Sequence, residues 1–260
     1  MNFIKRLLIS IVFIPLLLWI YYSGGKVLIG FLSILTVLSS YEIIRMYEKK
    51  GIKILFFNTI LALSLFYCIV KELPFALVLL FLTILFNGAR DVFLNKLEGA
   101  SQRISGAMFS VVYPALGFGY LYRLSDFNDR LILILAVLLW LTDSVAYFIG
   151  MSLGKHRGFF KCSPKKSIEG FVAGMAFAFI GSIVIWLLFS EIFLFKHVIF
   201  FGISVGIFGQ FGDLFESVLK RDLDVKDSSN IIPGHGGVLD RFDSLLFAAP
   251  VLYILLVVFS

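Results

Sequence analysis

LILILAVLLWLTDSVAYFIG, residues 131–150, decides what kind of protein this is. Only Asp143 is charged in the whole stretch. About 20 apolar residues are enough for an α-helix to cross the hydrocarbon core of a bilayer. The apolar residues run continuously and do not alternate over about ten residues, so the stretch reads as a membrane helix and not as a barrel strand. Similar runs recur along the chain, and we place spans at 7–22, 27–44, 54–70, 75–89, 105–122, 131–150, 170–189, 198–217 and 242–259. With 60% hydrophobic residues, 15% charged residues and a mean hydropathy of +0.97, the 260-residue chain is no ordinary soluble domain. The expected fold is an all-α polytopic integral membrane protein with about nine transmembrane helices.

Charge gives these spans a direction. With the N-terminus inside, the only basic residues on the outer side are Lys26, Lys71, Arg123, Arg130 and Lys196, against 18 of the 23 Lys and Arg on the inner side. The positive-inside rule therefore sets the N-terminus in the cytoplasm and, after nine spans, the C-terminus outside. A net charge of +6 is explained by those loops, and no nucleic-acid partner is expected. Lys5 and Arg6 before an apolar run resemble a signal peptide, but further spans follow and no A-x-A-like site is seen, so the run is read as an uncleaved first helix. Cys68 and Cys162 form no C-x-x-C pair, and neither zinc nor a structural disulfide is expected. Residues 1–130 are read as N-terminal membrane helices and residues 131–260 as a catalytic region carrying two cytoplasmic loops, 151–169 and 218–241.

Chemistry-bearing residues concentrate in that second half. Asp143 is costly at bilayer depth, roughly 2.5–3.5 kcal/mol on insertion scales, which makes a functional role its default reading and a structural ion pair the alternative. Helical spacing gives it a face shared with Ala146, Tyr147, Gly150 and Gly154. Ser163-Pro164 looks like an N-cap followed by proline, so a helix is expected to begin there, with Lys165, Lys166 and Glu169 beside an anion-attracting terminus. Gly206, Gly209, Asp213, Glu216 and Lys220 fall on one face of a regular α-helix, glycines deep and acids at the membrane surface. Glu216 also reads as an exposed helix-end acid.

The longest polar run is SVLKRDLDVKDSSNIIPGHGGVLDRFD, residues 217–243. Five aspartates alternate with Lys220, Arg221, Lys226 and Arg241 around Gly234-His235-Gly236-Gly237. Carboxylates for a cation, basic groups for phosphate and a glycine turn are what phosphoryl or nucleotidyl transfer uses. A solvated loop between two membrane helices is the plain alternative. The first half offers less. Glu42 and Arg45, three apart near a helix end, read as a surface ion pair. Residues 90–103 read as a short helix lying on the membrane surface.

Residues 217–243 resemble the signature of phosphatidate cytidylyltransferases, also called CDP-diacylglycerol synthases. Ser217, Lys220, Arg221, Lys226, Asp227, Ser229, Ile232, Pro233, His235, Gly236, Gly237, Asp240, Arg241 and Asp243 occupy its defined positions. Gly209-Gln210-x-Gly212-Asp213-x-x-Glu216, Asp143-Ser144-x-Ala146-Tyr147-x-x-Gly150 and Ser163-Pro164-x-Lys166-Ser167-x-Glu169-Gly170 are similar to that family's pattern as well. Phe159-Phe160 and Ile168 depart from it.

The resemblance implies that CTP and phosphatidic acid become CDP-diacylglycerol and pyrophosphate at the cytoplasmic face of the cell inner membrane. It implies Mg²⁺, with room for a second cation, and a homodimer. Asp213 and Asp240 are then the first choice as metal ligands, with Asp243 and Asp143 next. Lys166, Lys220, Arg221, Lys226 and Arg241 become phosphate contacts. His235 with Gly236 and Gly237 shapes a phosphate-binding turn, and Ser217, Asp227 and Glu169 complete the expected substrate contacts. Two other readings stay open: a CTP-dependent kinase of a lipid alcohol, which would release CDP, and an ion-coupled transporter using Asp143 and Asp213.

Overall fold

The computed structural model describes residues 15–232 and 236–259, so His235 and half of the first expected span lie outside the described residues. The described residues are overwhelmingly α-helical. Residues 15–23 are helical, followed by α1 (Gly25–Lys49), α2 (Asn58–Val70), α3 (Ala76–Phe93), α4 (Ala100–Arg123), α5 (Arg130–Ser152), α6 (Ile168–Leu188), α7 (Phe195–Ile203), α8 (Gln210–Asp222) and α9 (Leu239–Val258). A π-helical turn, Ser204–Gly209, joins α7 to α8, and together they make one run of 28 residues. Among the described residues seven helical segments are long and apolar enough to cross a membrane. The expected span 54–70 becomes α2, whose 13 residues rise only about 20 Å at 1.5 Å each. The protein is a multi-pass membrane protein.

The chain divides into two compact units, Met1–Arg123 with Asp222–Arg241, and Leu124–Arg221 with Phe242–Ser260. In the first, α4 is the hub against which α1, α2 and α3 pack. Its sequence allows this because its buried face is rich in small residues, among them Gly106, Ala107, Ser110, Ala115 and Gly117. At Gly106 an added Cβ would lie 2.7 Å from both Ile54 and Tyr47, so neighbouring chain approaches closely there. Ile44, Ile54 and Ala107 form one buried cluster at this crossing.

Helix α3 is polar inside and apolar outside, as a lipid-bathed helix should be. Thr83, Asn87 and Asp91, spaced four apart, are buried, while Leu77, Val78 and Phe81 are exposed. Asn87 and Asn58 exchange amide bonds of 3.0 and 3.4 Å. Asn87→Leu leaves a buried amide of Asn58 without that partner and is expected to destabilise the protein by about 1–3 kcal/mol. Thermal unfolding in detergent checks this, and Asn58→Leu added to it should recover part of the loss.

Residues 90–103 do not form the expected surface helix. Helix α3 continues to Phe93, and Arg103 folds the following turn by donating to Asp91 at 2.8 and 3.0 Å and to the carbonyls of Glu98 and Lys96. The sequence mixed charges with apolar residues here because one guanidinium binds the whole turn.

In the second unit α6 packs on both α5 and α7. Gly170 makes the α5–α6 approach possible, since a Cβ there would sit 2.6 Å from the Ala146 carbonyl oxygen. Of the small face expected around Asp143, Ala146 and Gly150 do meet α6, whereas Tyr147 is exposed. The expected start of α6 at Ser163 is displaced by four residues. Ser167 is the N-cap, its hydroxyl accepting from Gly170 N–H at 3.1 Å, while Ser163–Lys166 closes a separate turn through Lys166 N–H and the Ser163 carbonyl.

Candidate active site

The second unit gathers three aspartates from three helices. Asp143 stands on α5, Asp213 on α8 and Asp243 in the first turns of α9, and both Asp143 and Asp243 interact electrostatically with Asp213. Three carboxylates repel one another unless cations join them. Lys166 supplies one, with Nζ 3.0 Å from Asp213 Oδ2 and 5.6 Å from the centre of the Phe171 ring. The turn that precedes the Ser167 cap holds Lys166 at the foot of α6, where its stem is largely covered and its head reaches α8.

Lys220 supplies the second cation. Its Nζ lies 3.0 Å from Glu216 Oε1, one helical turn back, and it also interacts with Asp243. Glu216 is not the exposed helix-end acid of the plain reading; its side chain is fully buried in that pair. The π-helical turn explains why. A regular α-helix through Gly206 and Gly209 would set the face of α8 by 100° steps, and the wider turn changes that phase before Asp213 is reached. Gly212 then fixes the approach of α8 to α9, because a Cβ there would lie 2.5 Å from the Asp243 carbonyl oxygen.

Two expected substrate contacts in this unit are engaged with the protein itself. Glu169 accepts from His156 N–H at 3.2 Å and stands 2.5 Å from His156 Nδ1, so it closes the 154–169 loop. Arg221 is exposed and reaches the Cys162 carbonyl at 3.4 Å. Ser217 is half-buried on α8.

The first unit holds the rest of the signature. Lys226, Asp227 and Arg241 are exposed. Ile232 N–H donates to the Gly236 carbonyl at 2.9 Å, closing the turn, and Gly236 adopts φ 85°, a conformation that favours glycine. Asp240 Oδ2 accepts from Ser228 N–H at 3.0 Å and Gly237 N–H at 2.7 Å, and the Ser228 hydroxyl lies 3.0 Å away. One oxygen of this expected metal ligand therefore organises the loop.

Glu42 was missed by the sequence reading. Arg45 pairs with Glu48 at 2.9 Å and leaves Glu42 to the loop. Glu42 is fully buried on α1. Its carboxylate accepts from Val238 N–H and Leu239 N–H at 2.8 Å each and from the Ser229 hydroxyl at 2.6 Å. The Ser228 hydroxyl lies 3.0 Å from it, sharing one proton with Asp240. The signal was present in the residues, an acid within the expected span 27–44, but Arg45 offered a nearer partner.

Asp143, Asp213 and Asp243 offer carboxylate oxygens, and among the described residues no three His, Cys, Asp or Glu side chains form an all-protein metal cage. Such a donor set suits a hard cation that keeps its waters, as Mg²⁺ does with one or two carboxylates.

Comparison with known proteins agrees with the motifs. The cytidylyltransferase family matches residues 4–259. The phosphatidate cytidylyltransferase of Staphylococcus aureus (strain COL) is 34% identical over 252 residues, covering 95% of each chain. That of Staphylococcus epidermidis (strain ATCC 35984) is 33% identical over 260 residues, again 95% of each. The phosphatidate cytidylyltransferase of Bacillus subtilis (strain 168) is 42% identical over 154 residues, which span 58% of this chain and 57% of that protein. With the family matching nearly end to end and the acid–lysine constellation in place, the chain belongs to the cytidylyltransferase family.

Proposed function

We propose that this chain converts CTP and phosphatidic acid into CDP-diacylglycerol and pyrophosphate. The observation that carries the reading is the Lys166–Asp213 pair set among Asp143, Asp243 and Lys220. An oxygen of the lipid phosphate attacks the α-phosphorus of CTP. A P–O bond forms there as the bond to the bridging α,β-oxygen breaks, and its electron pair leaves with pyrophosphate.

The nucleophile needs no general base, because a phosphate monoester with a second pKa of about 6 is largely dianionic at neutral pH. The barrier is the approach of a dianion to a triphosphate, so catalysis is electrostatic and positional. Lys166, Lys220 and Arg221 are the proposed neutralising groups in the second unit. Lys226, Arg241 and the Gly236–Gly237 backbone, with Asp227 and His235, are the proposed nucleotide contacts of the first unit, and Ser217 is the one proposed in the second. Asp213, with Asp143 or Asp243 beside it, would hold Mg²⁺, and Asp240 is proposed as a metal ligand on its own loop. When bound, the cation supplies positive charge for the phosphoryl oxygens. The excess of basic residues on one side supports a cytoplasmic N-terminus, and the family resemblance supports a homodimer.

The test is an assay of purified protein with CTP labelled at the α-phosphate, phosphatidic acid and Mg²⁺. Label is expected in the lipid, with one pyrophosphate released per lipid formed. Release of CDP in place of pyrophosphate would overturn the reading.

A further inference from the structure

We propose that Glu42 is a positioning residue for the reaction, holding the 228–241 loop in its working form from the first long helix of the chain. This rests on the activity proposed above. The carboxylate sits where the loop enters α9, and the backbone N–H groups it receives, from Val238 and Leu239, belong to the start of that helix. An anion is stabilised there by unpaired N–H groups and the helix dipole. Ser229 brings the other strand of the loop to the same carboxylate. One buried acid thus pins both ends of the segment that carries Gly236 and Gly237.

Two further contacts show that the place is built for this acid. A Cβ at Gly237 would lie 2.6 Å from both Glu42 oxygens and in collision with Ser228 Oγ, so the glycine leaves space that the carboxylate and hydroxyl fill. Eight residues on, just past the end of α1, Lys50 donates to the Asp222 carbonyl and stands 3.6 Å from its carboxylate and 4.0 Å from that of Asp224. Helix α1 and the residue after it therefore hold Asp222 and Asp224 as well as the start of α9.

Chemistry fixes the residue type. A carboxylate has acceptor sites on both oxygens, and donors meet both here. A glutamine would turn an NH₂ group toward at least one N–H donor, so Glu42→Gln is not conservative at this position. Glu42→Asp keeps the acceptors on a stem shorter by one carbon and should recover part of the function.

The experiment measures kcat and KM for CTP and for phosphatidic acid in wild type, Glu42→Gln, Glu42→Asp, Ser229→Ala and, as control, Arg45→Ala. The expected result is at least a tenfold rise in KM for CTP in Glu42→Gln, a smaller rise in Glu42→Asp, and no change in Arg45→Ala. Ser229→Ala withdraws one donor and keeps α1 intact, so it reads the same effect even where Glu42→Gln fails to fold. Hydrogen exchange should quicken between 228 and 241 and not elsewhere. A lowered kcat with unchanged KM for CTP, or exchange quickened throughout, is what a merely structural acid gives and would overturn the inference. Wild-type protein that releases no pyrophosphate overturns the proposed activity instead, and loop-confined exchange in Glu42→Gln still decides the positioning role.

Discussion

Asp213→Asn should lower turnover by about 10²–10³-fold, the range seen when one electrostatic partner of a transition state is removed, while the protein still inserts and purifies normally. Asparagine has the shape of aspartate, so α8 keeps its packing. What disappears is the charge that anchors Lys166 at 3.0 Å and acts on Asp143 and Asp243. Lys166 then loses its fixed place beside Phe171, and the set of groups meant for phosphate and cation loses its centre. Turnover and elution volume in detergent, measured on one preparation, separate this from unfolding. A variant that runs near the wild-type rate at saturating Mg²⁺ would remove Asp213 from the metal ligands.

Asp240→Asn asks a different question with a similar drop expected, about 10²-fold or more. Asp240 Oδ2 already serves the loop by accepting from Ser228 and Gly237. An asparagine carbonyl can accept from the same two N–H groups, so the loop should stay closed and the change in thermal stability should be small, within about 1 kcal/mol. Asp240→Ala removes those bonds as well and should lower both stability and turnover. Should Asp240→Asn keep full activity while Asp240→Ala loses it, Asp240 holds the loop and nothing more.

The membrane helices were legible because bilayer-length apolar runs are a local property of sequence. Lys166, Asp213 and Asp243 were legible because their types and spacings match a known signature. What escaped the reading depends on partners far along the chain or on backbone phase. Glu42 looked paired because Arg45 was three residues away, yet the donors it meets lie 186–197 residues on. The face drawn from Gly206 to Lys220 assumed a regular helix, and nothing in SVGIFG announces a π turn. The cap of α6 went to Ser163 because proline follows it, while Ser167, four residues later, has the Gly170 N–H within reach.

The hydrogen bonds of Glu42 also set an order of events during synthesis. Helix α1 is made early, but its acid cannot be satisfied until residues 228–239 have left the ribosome, after the whole of 124–221 has been made. Closing so long a loop is slow compared with forming local helices. The N-terminal helices must therefore wait, with one buried carboxylate still lacking its donors, for nearly the last segment of the chain to arrive.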